Sequence, residues 1–215
     1  MKKLFKSFFD KNEEPKGRTL THPRDLRVGD VIVMDDGFDL PAQLRGQQFE
    51  VKKVQTYQFE HEQNSEWILK GIDNRPIFLG VEEEDGSCEL TFSIKIERDE
   101  VEQIFDLDEF SEIFEEDSTA VINAKGEIAG YENWIAPCYR QTANAERGYF
   151  YEEDYRGRRA SQYEGDGEPF NYFCLESDND EFQVEIEVWG DGDTDVMLTM
   201  YRPEQDIKEL WPAAK

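Results

Sequence analysis

EEDGSCELTFSIKIERDEVEQIF, residues 83–105, is echoed near the end of the chain by WGDGDTDVMLTMYRPEQDIKELW, residues 189–211. Each stretch reads as a glycine turn, a strand and an amphipathic segment. In the first, Asp85-Gly86 is a dipeptide of the kind that closes tight hairpins. Val101, Ile104, Phe105, Phe110, Ile113 and Phe114 then recur at spacings of three and four, which predicts a helix with one apolar face, expected to break at Asp106 to Asp108. In the second, Asp191-Gly192 takes the place of Asp85-Gly86. Ile207, Leu210 and Trp211 take the places of Val101, Ile104 and Phe105, so a second closing helix is predicted there.

Upstream, the chain reads as a meander. Val31 to Met34 is a β-branched run, and Phe49, Val51, Val54, Tyr57 and Phe59 mark a strand whose phase slips between Val51 and Val54, which predicts a bulge. A turn at Asp73-Asn74 separates further strands. The second half carries the same plan. TAVINAKGEIAG, residues 119–130, matches DVIVMDDGFDLP, residues 30–41, as two short strands around Gly126 and Gly37, and Asp178-Asn179 falls where Asp73-Asn74 falls. The expected fold class is α+β, mainly antiparallel β, with two related β-meander-plus-helix units packed together. The expected divisions are a basic segment and linker over 1–19, a first unit over 20–117, and a second over 118–215 with a Tyr/Arg-rich insertion at 139–169.

Composition narrows the function. The chain has 50 acidic and 24 basic residues, a net charge of -26, which repels phosphate backbones and speaks against direct nucleic-acid binding. Aromatic residues make up 13% of the sequence, enough bulky apolar side chain to drive folding. Cys88, Cys138 and Cys174 are odd in number and lack a C-x-x-C pair, as reduced cytoplasmic thiols would be. No run reaches the roughly 18 apolar residues of a spanning helix, and the start lacks the pattern of a signal peptide. A cytoplasmic location is expected, with peripheral contact at the inner membrane face as an extension of it.

Two segments depart from the acidic background. In MKKLFKSFFDK, residues 1–11, Lys2, Lys3 and Lys6 flank Leu4, Phe5, Phe8 and Phe9. That is a basic amphipathic helix, read either as a tether to a membrane or partner or as a helix docked on its own domain. In the central section, Tyr139, Tyr149, Tyr151 and Tyr155 precede or surround a basic island, Arg156, Arg158 and Arg159. Tyr and Arg carry much of the binding energy at interfaces, so a partner-facing surface is expected, set against the plainer reading of a solvated loop.

Catalysis needs a placed acid, base, nucleophile or metal. His22 precedes Pro23 and His61 lies in a polar turn, so both read as solvated surface residues. Zinc spacing, a dinucleotide fingerprint and a P-loop are all missing from the sequence, and no cofactor is expected. Asp191, Asp193 and Asp195 alternate in DGDTD, a spacing that offers oxygens to Ca²⁺, but the bidentate Glu of a calcium loop is not in place and a simple hairpin is the favoured reading. A carboxylate pair hidden among 50 acids has no signature of its own.

LRVGDVIVMDDG, FEVKKVQ and SEWILKGIDNRPIFLGVEEEDG, carrying Leu26, Gly29, Asp30, Trp67, Leu69, Leu79, Val81 and Glu82, resemble an uncharacterised bacterial domain-of-unknown-function family over residues 26–86. Members of such families are often encoded beside relatives of phage shock protein A, small membrane proteins and polyamine- or ATP-grasp-type enzymes. The resemblance implies a role in a membrane-associated stress system and carries over no catalytic residues. The expectation is a non-enzymatic interaction or adaptor protein with protein partners in such a complex. Two alternatives stay open: an acidic nucleic-acid mimic that inhibits a DNA-binding partner, and a carboxylate-dependent or calcium-binding protein.

Overall fold

Eleven strands join in one antiparallel sheet. The computed structural model describes residues 18–214, apart from 74, 85, 127 and 161–166. The first half supplies β1 (Val31–Met34), β2 (Gln48–Gln58), β3 (Gln63–Lys70), β4 (Ile77–Glu84) and β5 (Ser87–Ile96), followed by α1 (Arg98–Ile104) and α2 (Leu107–Ser111). The second supplies β6 (Val121–Asn123), β7 (Cys138–Tyr151), β8 (Glu168–Ser177), β9 (Phe182–Trp189), β10 (Thr194–Pro203) and β11 (Ile207–Trp211). The strand order is β11-β1-β2-β3-β4-β5-β10-β9-β8-β7-β6, so the halves run in the same order outward from a shared β5–β10 seam. The fold is α+β and mainly antiparallel β.

Local sequence explains much of this. The ladder between β2 and β3 shifts register between Val51 and Lys53, the bulge that the phase slip predicts. Gly86 and Gly192 turn their hairpins with φ of 84° and 93°, a region that side chains with a Cβ rarely enter. Glu97 and Glu100 form a capping box on α1, and the Asp106 carboxylate accepts from the Asp108 and Glu109 amides to start α2. That cap is the physical cause of the break between the helices.

The long strands β2 and β7 each take part in two structures. Their first halves pair with β1 and β6. Further on, Thr56, Tyr57 and Gln58 pair with Tyr151, Phe150 and Tyr149, which closes β2-β3-β4-β5-β10-β9-β8-β7 into a ring of eight strands. One face of the sheet is aliphatic. Trp67, Leu79, Phe92, Ile94, Leu175, Ile186 and Leu198 are buried there in one cluster with Val101, Ile104 and Phe110 of the helices and with Leu40, Leu44 and Trp134. Removing each large side chain from water contributes roughly 1.5–3 kcal/mol. The loops that bring in Leu44 and Trp134 are tied together, with Trp134 Nε1 donating to Gln43 Oε1 at 3.2 Å and Gln43 Nε2 donating to the Gly130 carbonyl at 2.6 Å.

Two expectations are corrected. Residues 207–211 form strand β11 and not a helix: Ile32 pairs with Leu210 and Val33 with Glu209. Five residues make a poor helix alone, whereas a strand here satisfies an otherwise bare edge of β1. Residues 119–130 give one strand, β6, and not two around Gly126; the matching segment after β1 is likewise a loop past Met34. The Tyr/Arg-rich stretch begins as β7, which pairs with β8 in a long hairpin of the sheet.

Candidate functional site

Side chains alternate across each strand, and the face opposite the aliphatic core points into the ring. It lines a cavity of about 400 Å³ to which all eight strands contribute. Seven glutamates line it, Glu62, Glu66, Glu82, Glu146, Glu176, Glu185 and Glu187, and its described lining includes no lysine, arginine or histidine. Aromatic rings wall it where β2 meets β7. Tyr57 lies 5.3 Å from Phe150 and 5.7 Å from Phe170, Phe59 lies 5.4 Å from Tyr172, and Phe170 lies 5.3 Å from Trp189, all between ring centroids. These tilted and edge-on contacts fix the wall more firmly than area alone would.

Three of the glutamates sit deep in the ring and answer one another. Gln55 Nε2 donates to Glu66 Oε1 at 2.5 Å, yet burial pushes the Glu66 carboxyl up to about 8. Burial, and then the charges of Glu66 and Glu185, hold Glu187 well above the usual carboxylate range, while the Tyr57 hydroxyl donates to it. Glu185 accepts from the Tyr172 hydroxyl at 2.7 Å and from the Thr199 hydroxyl. Burial first, and neighbouring anions second, thus make Glu66 and Glu187 lose their protons less readily than an exposed glutamate. The Cys174 thiol on the same face is pushed up to about 12, first by burial, which disfavours its thiolate.

The residues singled out from sequence scatter. Tyr139 is fully buried in the core, its hydroxyl accepting from the Ala136 amide at 2.7 Å, and Tyr151 is 4% exposed, packed on Tyr155 with 5.0 Å between ring centroids. Neither offers a partner surface, because inward positions of β7 carry them. Tyr149 is half-buried beneath Arg147, whose guanidinium lies 5.5 Å from the ring centroid. Arg156 is paired with Asp154 at 2.6 Å, donates to the Arg24 carbonyl at 2.6 Å and lies 5.1 Å over Trp67. Arg158 pairs with Glu153 at 2.9 Å and stacks 4.0 Å over Tyr155. Their charges are thus already matched, and Arg159 is exposed beside them. Asp195 is turned to Lys95 at 2.5 Å, and Asp191 accepts from the Asp193 amide at 3.1 Å, so the aspartates of DGDTD do not converge on one ion. Lys2, Lys3, Leu4, Phe5, Lys6, Phe8 and Phe9 lie outside the described residues.

Sequence reading missed Glu66, Glu185 and Glu187. Their signal was present: in QVEIEVW, residues 183–189, acids alternate with β-branched residues, as on any strand with one wet face. Only ring closure turns that wet face inward. No protein-family model, curated protein or solved structure matches the chain.

Proposed function

We propose that this is a non-enzymatic binding protein that takes a small organic cation, of the ammonium class, into the ring. The observation that carries the reading is the charge pattern of the cavity: seven glutamates with no basic residue in its described lining. Carboxylates attract the cation, and the faces of Tyr57 and Phe59 add cation–π attraction, which favours an organic ion over a compact hydrated one. A volume of about 400 Å³ suits a small molecule. Calcium fits less well, since it requires several ionised oxygens at once, and burial disfavours ionising Glu66 and Glu187 together. A bound cation favours the ionised form of Glu66, so uptake releases a proton and affinity climbs with pH toward about 8.

Isothermal titration with n-butylammonium, butanediammonium and tetramethylammonium tests this, with n-butanol and calcium chloride as controls, in two buffers of different ionisation enthalpy. Saturable binding of an organic cation with proton release, weakened in Glu66→Gln and in Glu187→Gln, is the expected result. Binding of calcium alone, or of nothing in the panel, overturns it.

A further inference from the structure

On the opposite face of the sheet from the ring cavity, three unlike ligand groups converge from segments far apart in the chain. Cys88 lies near the start of β5, opposite Glu83 of β4. The β5–β10 register sets Pro203 against Glu89, so Glu204, the next residue, arrives beside Cys88. His22 comes from above, at the head of the 3-10 turn Pro23–Asp25, which is anchored by buried Pro23. Ligand atoms of His22, Cys88 and Glu204 all lie within 4.8 Å of one another, and all three residues are partly buried. His22 Nε2 is 3.9 Å from Glu204 Oε1 and 3.4 Å from Glu83 Oε1.

We propose that His22, Cys88 and Glu204 bind a zinc-type divalent transition-metal ion, with a water or Glu83 completing the tetrahedron. Sulfur, imidazole nitrogen and carboxylate oxygen form a donor set that suits zinc and does not suit calcium or magnesium, which take oxygen ligands. Coordination needs the thiolate, and the thiol proton leaves to buffer as the S–metal bond forms. In the metal-free protein burial, and then the carboxylates of Glu204 and Glu83, raise the Cys88 thiol, with Arg24 opposing. A divalent cation reverses the carboxylates' effect, because they then stabilise it.

Two features temper the affinity. His22 Nδ1 accepts the Arg24 amide at 3.2 Å. Metal on Nε2 moves the ring proton to Nδ1, so this cap bond gives way. Arg24 also pairs with Glu83, which places a positive charge near the ion and competes for the fourth ligand. The cost is one long hydrogen bond at a short turn, against three metal–ligand bonds. Because His22 and Cys88 belong to the first half and Glu204 to the second, the ion would pin the N-terminal turn, the β4–β5 hairpin and the end of β10 together.

Cobalt(II) titration of the full reduced chain reads the site directly. Expected are thiolate-to-cobalt charge-transfer bands in the near ultraviolet and tetrahedral d–d bands in the visible, both erased by added zinc. Cys88→Ser should abolish the charge-transfer bands and Cys138→Ser should keep them. His22→Asn should lose the tetrahedral d–d bands while keeping a side-chain acceptor for the turn, so its folding is preserved. Zinc should raise the thermal midpoint of the wild type and leave that of His22→Asn unmoved. A wild type without thiolate–cobalt bands, or bands that survive Cys88→Ser, overturns the proposal. Neither result bears on cation uptake inside the ring, which uses none of these residues.

Discussion

The hydroxyls of Ser93 and Thr199 meet at 2.8 Å across the seam between β5 and β10, as direct partners in register. Thr199 also bonds Glu185. A hydroxyl has one proton, so a Thr199 that donates to the carboxylate accepts from Ser93. The joint between the two halves thus holds one of the deep glutamates in place. Thr199→Val removes that donor and strands the Ser93 hydroxyl in a buried site, at a cost of about 1–3 kcal/mol. Urea unfolding measures it, and an unchanged midpoint refutes the relay.

Stability should fall as pH rises toward mildly alkaline values. A glutamate in the unfolded chain loses its proton near 4.5, whereas folded Glu66 keeps it to about 8. Between those values the folded state binds more protons, so the penalty for ionising Glu66 is absent below the window and complete above it. Glu66→Gln should flatten this slope and leave the protein more stable than wild type at the alkaline end. Denaturant midpoints taken across the window check it; parallel curves for the two proteins would rule out Glu66 as the source.

Gly148 faces Phe170 in the β7–β8 ladder, where an added Cβ would lie 2.3 Å from the ring's Cζ. Phe170 is part of the aromatic wall and cannot retreat without disturbing Trp189 and Tyr57. Gly148→Ala is expected to destabilise by about 1–3 kcal/mol through overpacking. At Gly190, where a Cβ meets nothing within 4 Å, the same change should be near neutral, and equal effects at both sites would contradict the packing account.

Truncation after Asp206 removes β11 and leaves β1 without its outer neighbour. A bare strand edge pairs with other chains. The truncated protein should show concentration-dependent association by light scattering, and a monodisperse truncation with an unchanged thermal midpoint would show that β11 contributes little.

Much of the sheet was legible because its cues are local. The β-branched run at Val31–Met34, the slip after Val51 and the glycines at 86 and 192 each act on near neighbours, and each marks what it predicts. The pairings that make the site are not local. Nothing in TYQ, residues 56–58, announces that it meets Tyr149–Tyr151, and Ile207–Trp211 has the same apolar spacing whether it winds as a turn of helix or lies along β1. Tyr139 misled for the same reason: an aromatic among polar neighbours looks like an interface, and its burial depends on Phe105 packing 5.9 Å away between ring centroids. His22, Cys88 and Glu204 have no recognisable ligand spacing, because register and not sequence brings them together.

The pairing of β1 with β11 has a consequence for synthesis. As the chain leaves the ribosome, residues 31–96 can form their hairpins early, since all but the β1–β2 connection close over a short loop. Both flanks of that nascent sheet stay open, β5 waiting for β10 and, on the other side, β1 and the end of β2 waiting for residues 207–211 and for β7. Long-range closures of this kind are slow relative to hairpins. On a crowded message, neighbouring nascent chains carry the same two open flanks, and strand exchange between them competes with completion of each chain on its own.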